Sequence, residues 1–240
     1  MTEELFLRDA YLKEFEARVV DLSGREVVLD RTAFYPGGGG QPADKGTLGI
    51  GPVNANVVDA RRDKGEAGGR VVHVLDNAIP ETVRELKGSL DWERRYACMR
   101  YHTALHVLSG VIWRNFDAKV TGGQMRPDRA RMDFSFPGEW TAGVVGEIER
   151  LTNEALAQAR PVKVYELERE EALKNPDLIR TQVNLVPERV KTIRVVEIEG
   201  LDTQADGGTH VANTREVGEI ESTGHKSKGR QNKRLEFVLR

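Results

Sequence analysis

Cysteine is almost missing from this 240-residue chain: Cys98 stands alone, which excludes an internal disulfide and fits a reducing compartment. Long apolar runs are missing too, and none approaches the ~20 residues of a membrane-spanning helix. The opening residues, Met1-Thr2-Glu3-Glu4-Leu5, lack the basic and apolar regions of a secretory signal. These absences lead us to expect a soluble, cytoplasmic protein with no membrane partner. Charge of one sign is also lacking. The formal net charge is −2, so total charge does not predict nucleic-acid binding, and any RNA contact must come from a local basic patch. There is no internal repeat, no low-complexity tract, no Gly-x-Ser-x-Gly elbow and no evident Ser-His-Asp order, which argues against a covalent serine mechanism.

What is present suffices for a folded core under a polar surface: 39% hydrophobic and 31% charged residues, in a length that suits one large domain or two modest ones. The first third reads as β-structure. Glu16 to Val20 and Glu26 to Leu29 flank a turn containing Gly24, and further β-rich runs cover Val53 to Val58 and Arg70 to Leu75. Such spacing predicts a small barrel or sandwich. The pattern changes near residue 88. Asp91 is the expected N-cap of a helix reaching about Asn115, with Tyr101, Leu105, Leu108 and Ile112 as its buried stripe. A second helix is expected over Ala142 to Ala159 and a short third over Arg169 to Lys174. Strands are expected at Thr192 to Ile198, Val217 to Glu221 and Leu235 to Leu239. The fold class is therefore α+β: a small β-barrel domain over residues 1–88, then an α+β domain over 89–240 that carries a metal site.

The metal expectation begins with His102 and His106. Four apart on a helix, their imidazoles share a face, where they can hold one transition metal; two boundary histidines with no such role are the plain alternative. Asp206-Gly207-Gly208-Thr209-His210 supplies a second pair of donors, with two glycines permitting a tight turn between them. Three of the five histidines lie in these segments. His73 and His225 have no such company and read as structural or surface residues. Cys98 precedes His106 by eight residues, ~12 Å along a helix, too far to share one ion easily, and reads as a small buried hydrophobe. The run Gly37 to Gly40 lacks the Gly-Lys-Ser/Thr ending of a phosphate loop and reads as a tight turn.

His102-x-x-x-His106 followed by Gly-Gly-Thr-His210 resembles the editing domain of alanyl-tRNA synthetases and its freestanding relatives of the AlaX type. Val27 to Pro36, leading into Gly37 to Gly46, is similar to the family's glycine-rich Gly-Gly-Gln segment; Asp128 to Phe134 resembles the segment after the first histidine pair. In order, these cover nearly the whole chain. The resemblance implies hydrolysis of the aminoacyl ester in tRNA(Ala) mischarged with serine or glycine. It implies one Zn2+ ion held by His102, His106, Asp206 and His210. No aminoacylation module precedes the match, so action in trans is expected, with no obligate protein partner. One departure stands out: the family usually has cysteine where this chain has Asp206. A carboxylate also ligates zinc, but as a harder donor that admits manganese or another divalent ion; alternatively Asp206 orients water without ligating.

The expected catalytic set is Thr32, Gln41 and Asp206. Gln41 belongs at the editing pocket by resemblance, and Thr32 is placed to bond a seryl hydroxyl. A polar pocket rejects a substrate lacking that hydroxyl by ~10⁴–10⁵, whereas an apolar pocket rejects an added hydroxyl only by ~10². The backbone N–H groups of Gly207 and Gly208 are candidate oxyanion donors. Lys226, Lys228, Arg230, Lys233 and Arg234 form a basic cluster expected to contact tRNA, with Arg94-Arg95 and Arg126, Arg129 and Arg131 as further candidates; a solvated charged loop is the plain alternative. Two competing functions remain: a metal hydrolase for another aminoacyl-tRNA such as Thr-tRNA, and a non-catalytic RNA-binding module with structural zinc.

Overall fold

Alternating burial along short strands builds the first of two units, Met1–Cys98, in a computed structural model that describes residues 1–63, 69–172, 174, 178, 191–227, 229 and 232–240. Its strands are β1 (Glu3–Glu4), β2 (Glu14–Ser23), β3 (Glu26–Leu29), β4 (Arg31–Thr32), β5 (Gly46–Ile50), β6 (Val53–Arg62), β7 (Val71–Leu75) and β8 (Glu85–Leu90). Six of them close a barrel in the order β2-β3-β7-β6-β5-β8, and β1 pairs with β4 in parallel. Closure removes free sheet edges. On β2, Phe15 and Ala17 turn inward while Glu14, Glu16 and Arg18 do not, the period-two pattern of a half-buried strand. They join Val27, Leu29, Phe34, Leu48 and Leu75 in the barrel core.

The glycine-rich segment is tied to this unit by a buried ion pair. Arg95 has no exposed surface, and its guanidinium donates to the Asp44 carboxylate and to the carbonyls of Ala10 and Ala33. Asp44 also accepts the Tyr35 N–H at 2.7 Å. Arg95, one of the further RNA candidates, is therefore consumed by the fold. Arg94 donates to the Ala43 carbonyl. Gly37 to Gly40 all have positive φ, from 55° to 135°, which side chains with a Cβ rarely adopt; here glycine is a conformational requirement. The turn closes by paired Gly38–Gln41 backbone bonds, with the Tyr35 hydroxyl on the Gly38 carbonyl.

Helix α1 (Trp92–Phe116) starts where expected: the Asp91 carboxylate accepts the Arg94 N–H at 3.1 Å. The second unit, Met99–Arg240, contains most of α1 with β9 (Lys119–Arg126), β10 (Arg129–Ser135), α2 (Ala142–Ala157), β11 (Val162–Glu168), α3 (Arg169–Ala172), β12 (Thr192–Ile198), β13 (Asp202–Ala205), β14 (Ile220–Ser227) and β15 (Asn232–Leu239). Two antiparallel sheets form, ordered β14-β15-β10-β9 and β11-β12-β13. The expected single stripe on α1 understates its burial. Every residue from Tyr101 to Ile112 is buried, because α1 meets both sheets: Tyr101 packs against Phe237 of β15, and Gly110 lies against the turn into β13. A Cβ at Gly110 would sit 3.1 Å from Leu201 Cγ, so this glycine permits the close approach. The strand expected at Val217 starts later, at Ile220, because residues 214–216 form a 3-10 turn capped by Asn213. The α+β class with an N-terminal barrel is as expected.

Candidate metal centre

His102 and His106 lie one turn apart on α1 and are 5% and 7% exposed. Polar rings buried this deeply need partners. Those partners come from the segment after β13. Asp206 Oδ1 is 3.4 Å from His102 Nε2 and 3.9 Å from His106 Nε2, and Asp206 Oδ2 is 3.1 Å from His210 Nε2. The histidine rings pack against one another with centroids 4.2 to 5.2 Å apart. One donor atom from each of His102, His106, Asp206 and His210 falls within 4.8 Å of all the others. Neighbouring ligands of a tetrahedral zinc with ~2.0–2.1 Å bonds lie about 3.3 Å apart. The His–Asp206 contacts run from 3.1 to 3.9 Å and all four donors lie within 4.8 Å, so three imidazoles and one carboxylate suit a small divalent ion in donor chemistry, at spacings somewhat wider than a tetrahedral shell.

The turn between Asp206 and His210 differs from the expected glycine mechanism. Neither Gly207 nor Gly208 has positive φ. Instead the Gly208 N–H donates to Asp206 Oδ2, a local side-chain bond that sets the turn. Of the two proposed oxyanion donors, Gly208 is thus already engaged.

Electrostatics hold the cluster together. Burial opposes ionisation of Asp206, but the His102 charge and bonds from His102, His106 and His210 keep its carboxyl well below the usual range. Burial likewise opposes a charged His106, yet its hydrogen bonds to the Asp202 and Asp206 carboxylates raise its value to about 9. Burial, then the His102 charge, holds His210 far below its ordinary value. Cys98 is buried, and burial pushes its thiol up to about 11, so it stays protonated.

Sequence reasoning missed three residues around this cluster. Asp202, 2% exposed, accepts from His106 Nδ1 at 2.9 Å. Thr103 faces His210 Nδ1 at 3.3 Å. The Arg194 guanidinium donates to the Asp206 carbonyl at 2.9 Å and lies 3.9 Å from its carboxylate. A carboxylate at a strand start and an arginine within a strand carry no local signal of such contacts. Only Thr103, next to His102, lay within reach of motif reasoning.

The other expected site residues have surroundings of their own. Thr32 has no exposed surface; its hydroxyl is 2.8 Å from His73 Nε2 and accepts the Phe34 N–H at 3.1 Å. His73 Nδ1 faces the Val27 carbonyl, so Nδ1 carries the hydrogen and Nε2 accepts from Thr32. Burial lowers His73 to about 4 and keeps the ring neutral. Gln41 is 2% exposed. In the basic tail, Lys233 is buried, and its ammonium donates to Ser227 Oγ and the Gly229 carbonyl. Arg234 forms a two-pronged pair with Asp133, whereas Lys226 is exposed, 3.9 Å from Glu236. Lys228 and Arg230 lie outside the described residues.

Comparison with known proteins places this arrangement in a class shared by tRNA synthetases and their editing relatives. The pattern described as threonyl and alanyl tRNA synthetase second additional domain matches residues 193–236, and that of class II (A) tRNA synthetases matches residues 5–94. Alanyl-tRNA editing protein AlaX-M of Saccharolobus solfataricus is 40% identical over the full length of both chains. The AlaX-M protein of Methanosarcina barkeri is 38% identical over all of this chain and 99% of its own. The alanine–tRNA ligase of Ignicoccus hospitalis is 39% identical over 91% of this chain, which matches only 24% of that enzyme. The chain belongs to the AlaX-M family of alanyl-tRNA editing proteins, a family of hydrolases.

Proposed function

We propose that this chain removes serine, and glycine, from mischarged tRNA(Ala), acting in trans at the His102, His106, Asp206 and His210 centre. The observation that carries the reading is the convergence of three imidazole Nε2 atoms on the Asp206 carboxylate in a buried site. Relatives matched end to end carry the name of an editing protein, while the synthetases share only a fraction of their length with it. That pattern favours action in trans. In this reading Thr32 and Gln41 belong to residues 1–88 and the metal ligands to residues 89–240. The reading places the protein in the cytoplasm with its tRNA; no described helix is long and apolar enough to cross a membrane.

A bound Zn2+, or another divalent ion accepted by the harder Asp206 donor, supplies a Lewis acid for the ester carbonyl. Around it the protein supplies position. Asp206 keeps its negative charge against burial, and Arg194 lies beside it. The Gly207 N–H makes no hydrogen bond among the described residues and is the backbone donor open to a developing oxyanion. Thr32 donates to His73 and accepts from Phe34, which leaves one lone pair. It can therefore only accept from a seryl hydroxyl, and an alanyl group offers it nothing. Thr32→Val is expected to abolish the preference for Ser-tRNA over Ala-tRNA, because an apolar pocket disfavours an added hydroxyl, though only by ~10²; unchanged discrimination in a variant of normal thermal stability would refute this assignment.

A structural zinc site remains the second reading, favoured by four protein donors, which can close a coordination shell. Ester loss from Ser-tRNA(Ala), with and without the protein, separates the two. The editing reading expects hydrolysis, and expects His210→Ala to lose metal together with at least ~100-fold of the rate. A stable protein that leaves the ester intact would establish the structural reading instead.

A further inference from the structure

We propose that Asp202 is a positioning residue for metal capture: it holds His106 through Nδ1 so that Nε2 is presented toward Asp206. The inference rests on the metal-centre reading above. His106 Nδ1 lies 2.9 Å from Asp202 Oδ2, and the Asp202 side chain is sealed from solvent. Across that contact the imidazole N–H donates and the carboxylate oxygen accepts, so the hydrogen between the two sits on Nδ1. In the neutral ring the lone pair then belongs to Nε2, the atom that faces Asp206 Oδ1. A metal ligand needs that tautomer.

Asp202 is itself anchored. The Gln204 amide donates to Asp202 Oδ2 at 2.9 Å and Oδ1 at 3.1 Å, and the same nitrogen lies 3.3 Å from Ser109 Oγ. Ser109 is on α1, three residues beyond His106, so β13 meets the helix both at the ligand and one turn beyond it. The close approach at Gly110 makes this possible: a Cβ there would come within 3.3 Å of Asp202 Cβ. His210 has a different support, the neutral Thr103 hydroxyl at 3.3 Å. His106 thus has a carboxylate behind its ring, which strengthens its donor nitrogen as well as orienting it.

The test is zinc affinity of the full chain, measured by competition with a chromogenic chelator and without tRNA. Asp202→Asn keeps the shape and removes the charge; its affinity is expected to fall about 10-fold, and that of Asp202→Ala up to about 100-fold. Adding Asp202→Ala to His106→Ala is expected to cost nothing further, since Asp202 acts through His106. Thermal unfolding of the metal-free variants is measured alongside. Lower metal-free stability with wild-type zinc affinity would show a purely structural role and overturn the proposal, as would an Asp202→Ala effect undiminished in the His106→Ala background. If Asp202→Ala does not fold, Asp202→Asn decides alone: affinity within twofold of wild type overturns it. A wild-type chain that binds no zinc would instead overturn the metal-centre reading. A zinc-binding chain that spares Ser-tRNA(Ala) would remove the editing reading and leave the Asp202 result standing.

Discussion

Whether a cation reaches RNA depends on what the fold has already asked of it. Arg95 and Lys233 both looked available in the sequence, and both are buried with their charges engaged. Breaking a buried pair leaves an uncompensated charge, which costs about 3–5 kcal/mol, far more than a screened surface pair. Arg95→Ala is therefore expected to destabilise the chain by about that amount, because Asp44 would lose its guanidinium while still buried. Urea unfolding of the whole protein measures it; a midpoint equal to wild type would contradict the buried-pair account. The same logic explains Asp206. The half-buried Asp206 stays ionised because three imidazoles face it, and that need for partners is what makes the cluster a candidate cation site in a chain of ordinary net charge.

Among the described strands, the β9–β10 hairpin offers free positive charge. Arg126 and Arg129 are exposed and lie opposite each other in register, an unfavourable like-charge pair, and neither side chain makes a hydrogen bond or ion pair among the described residues. With Arg131 they line a cavity of about 340 Å³. Arg126→Glu with Arg129→Glu is expected to weaken tRNA binding and flatten its dependence on salt, the mark of lost phosphate contacts, whereas Lys233→Ala should disturb the β14–β15 hairpin and leave the salt slope intact. Filter binding across a salt series distinguishes them; equal slopes for all three proteins would rule the hairpin out. This hairpin also shows where sequence reading stopped. The helices announced themselves through Asp91 and apolar spacing, and the β2–β3 hairpin through Gly24. Gly122 and Gly123 in β9, Gly46 and Gly49 in β5, and Gly88 in β8 hid those strands, because glycine lowers β propensity. Strand β11 was hidden differently: it exposes most of both faces, so it has no inward alternation to read.

For the molecule as a whole, the barrel, the α+β class and the metal-ligand candidates were legible because each rests on short-range pattern: turn glycines, four-residue histidine spacing and the Asp-Gly-Gly-Thr-His segment. What was not legible is the layer behind the ligands. Asp202 meets His106 across 96 positions of sequence, and Arg194 reaches Asp206 through strand pairing that no local window reveals. The functional claim for the whole chain is nonetheless simple: ester hydrolysis on mischarged tRNA(Ala) that depends on a metal held by His102, His106, Asp206 and His210. Its most direct measurement is the rate of serine release from Ser-tRNA(Ala) by the native protein, the chelator-stripped protein and the stripped protein reloaded with zinc. The expected result is activity in the first, its loss in the second and its return in the third, in step with metal content. Undiminished release by fully stripped protein would contradict the claim.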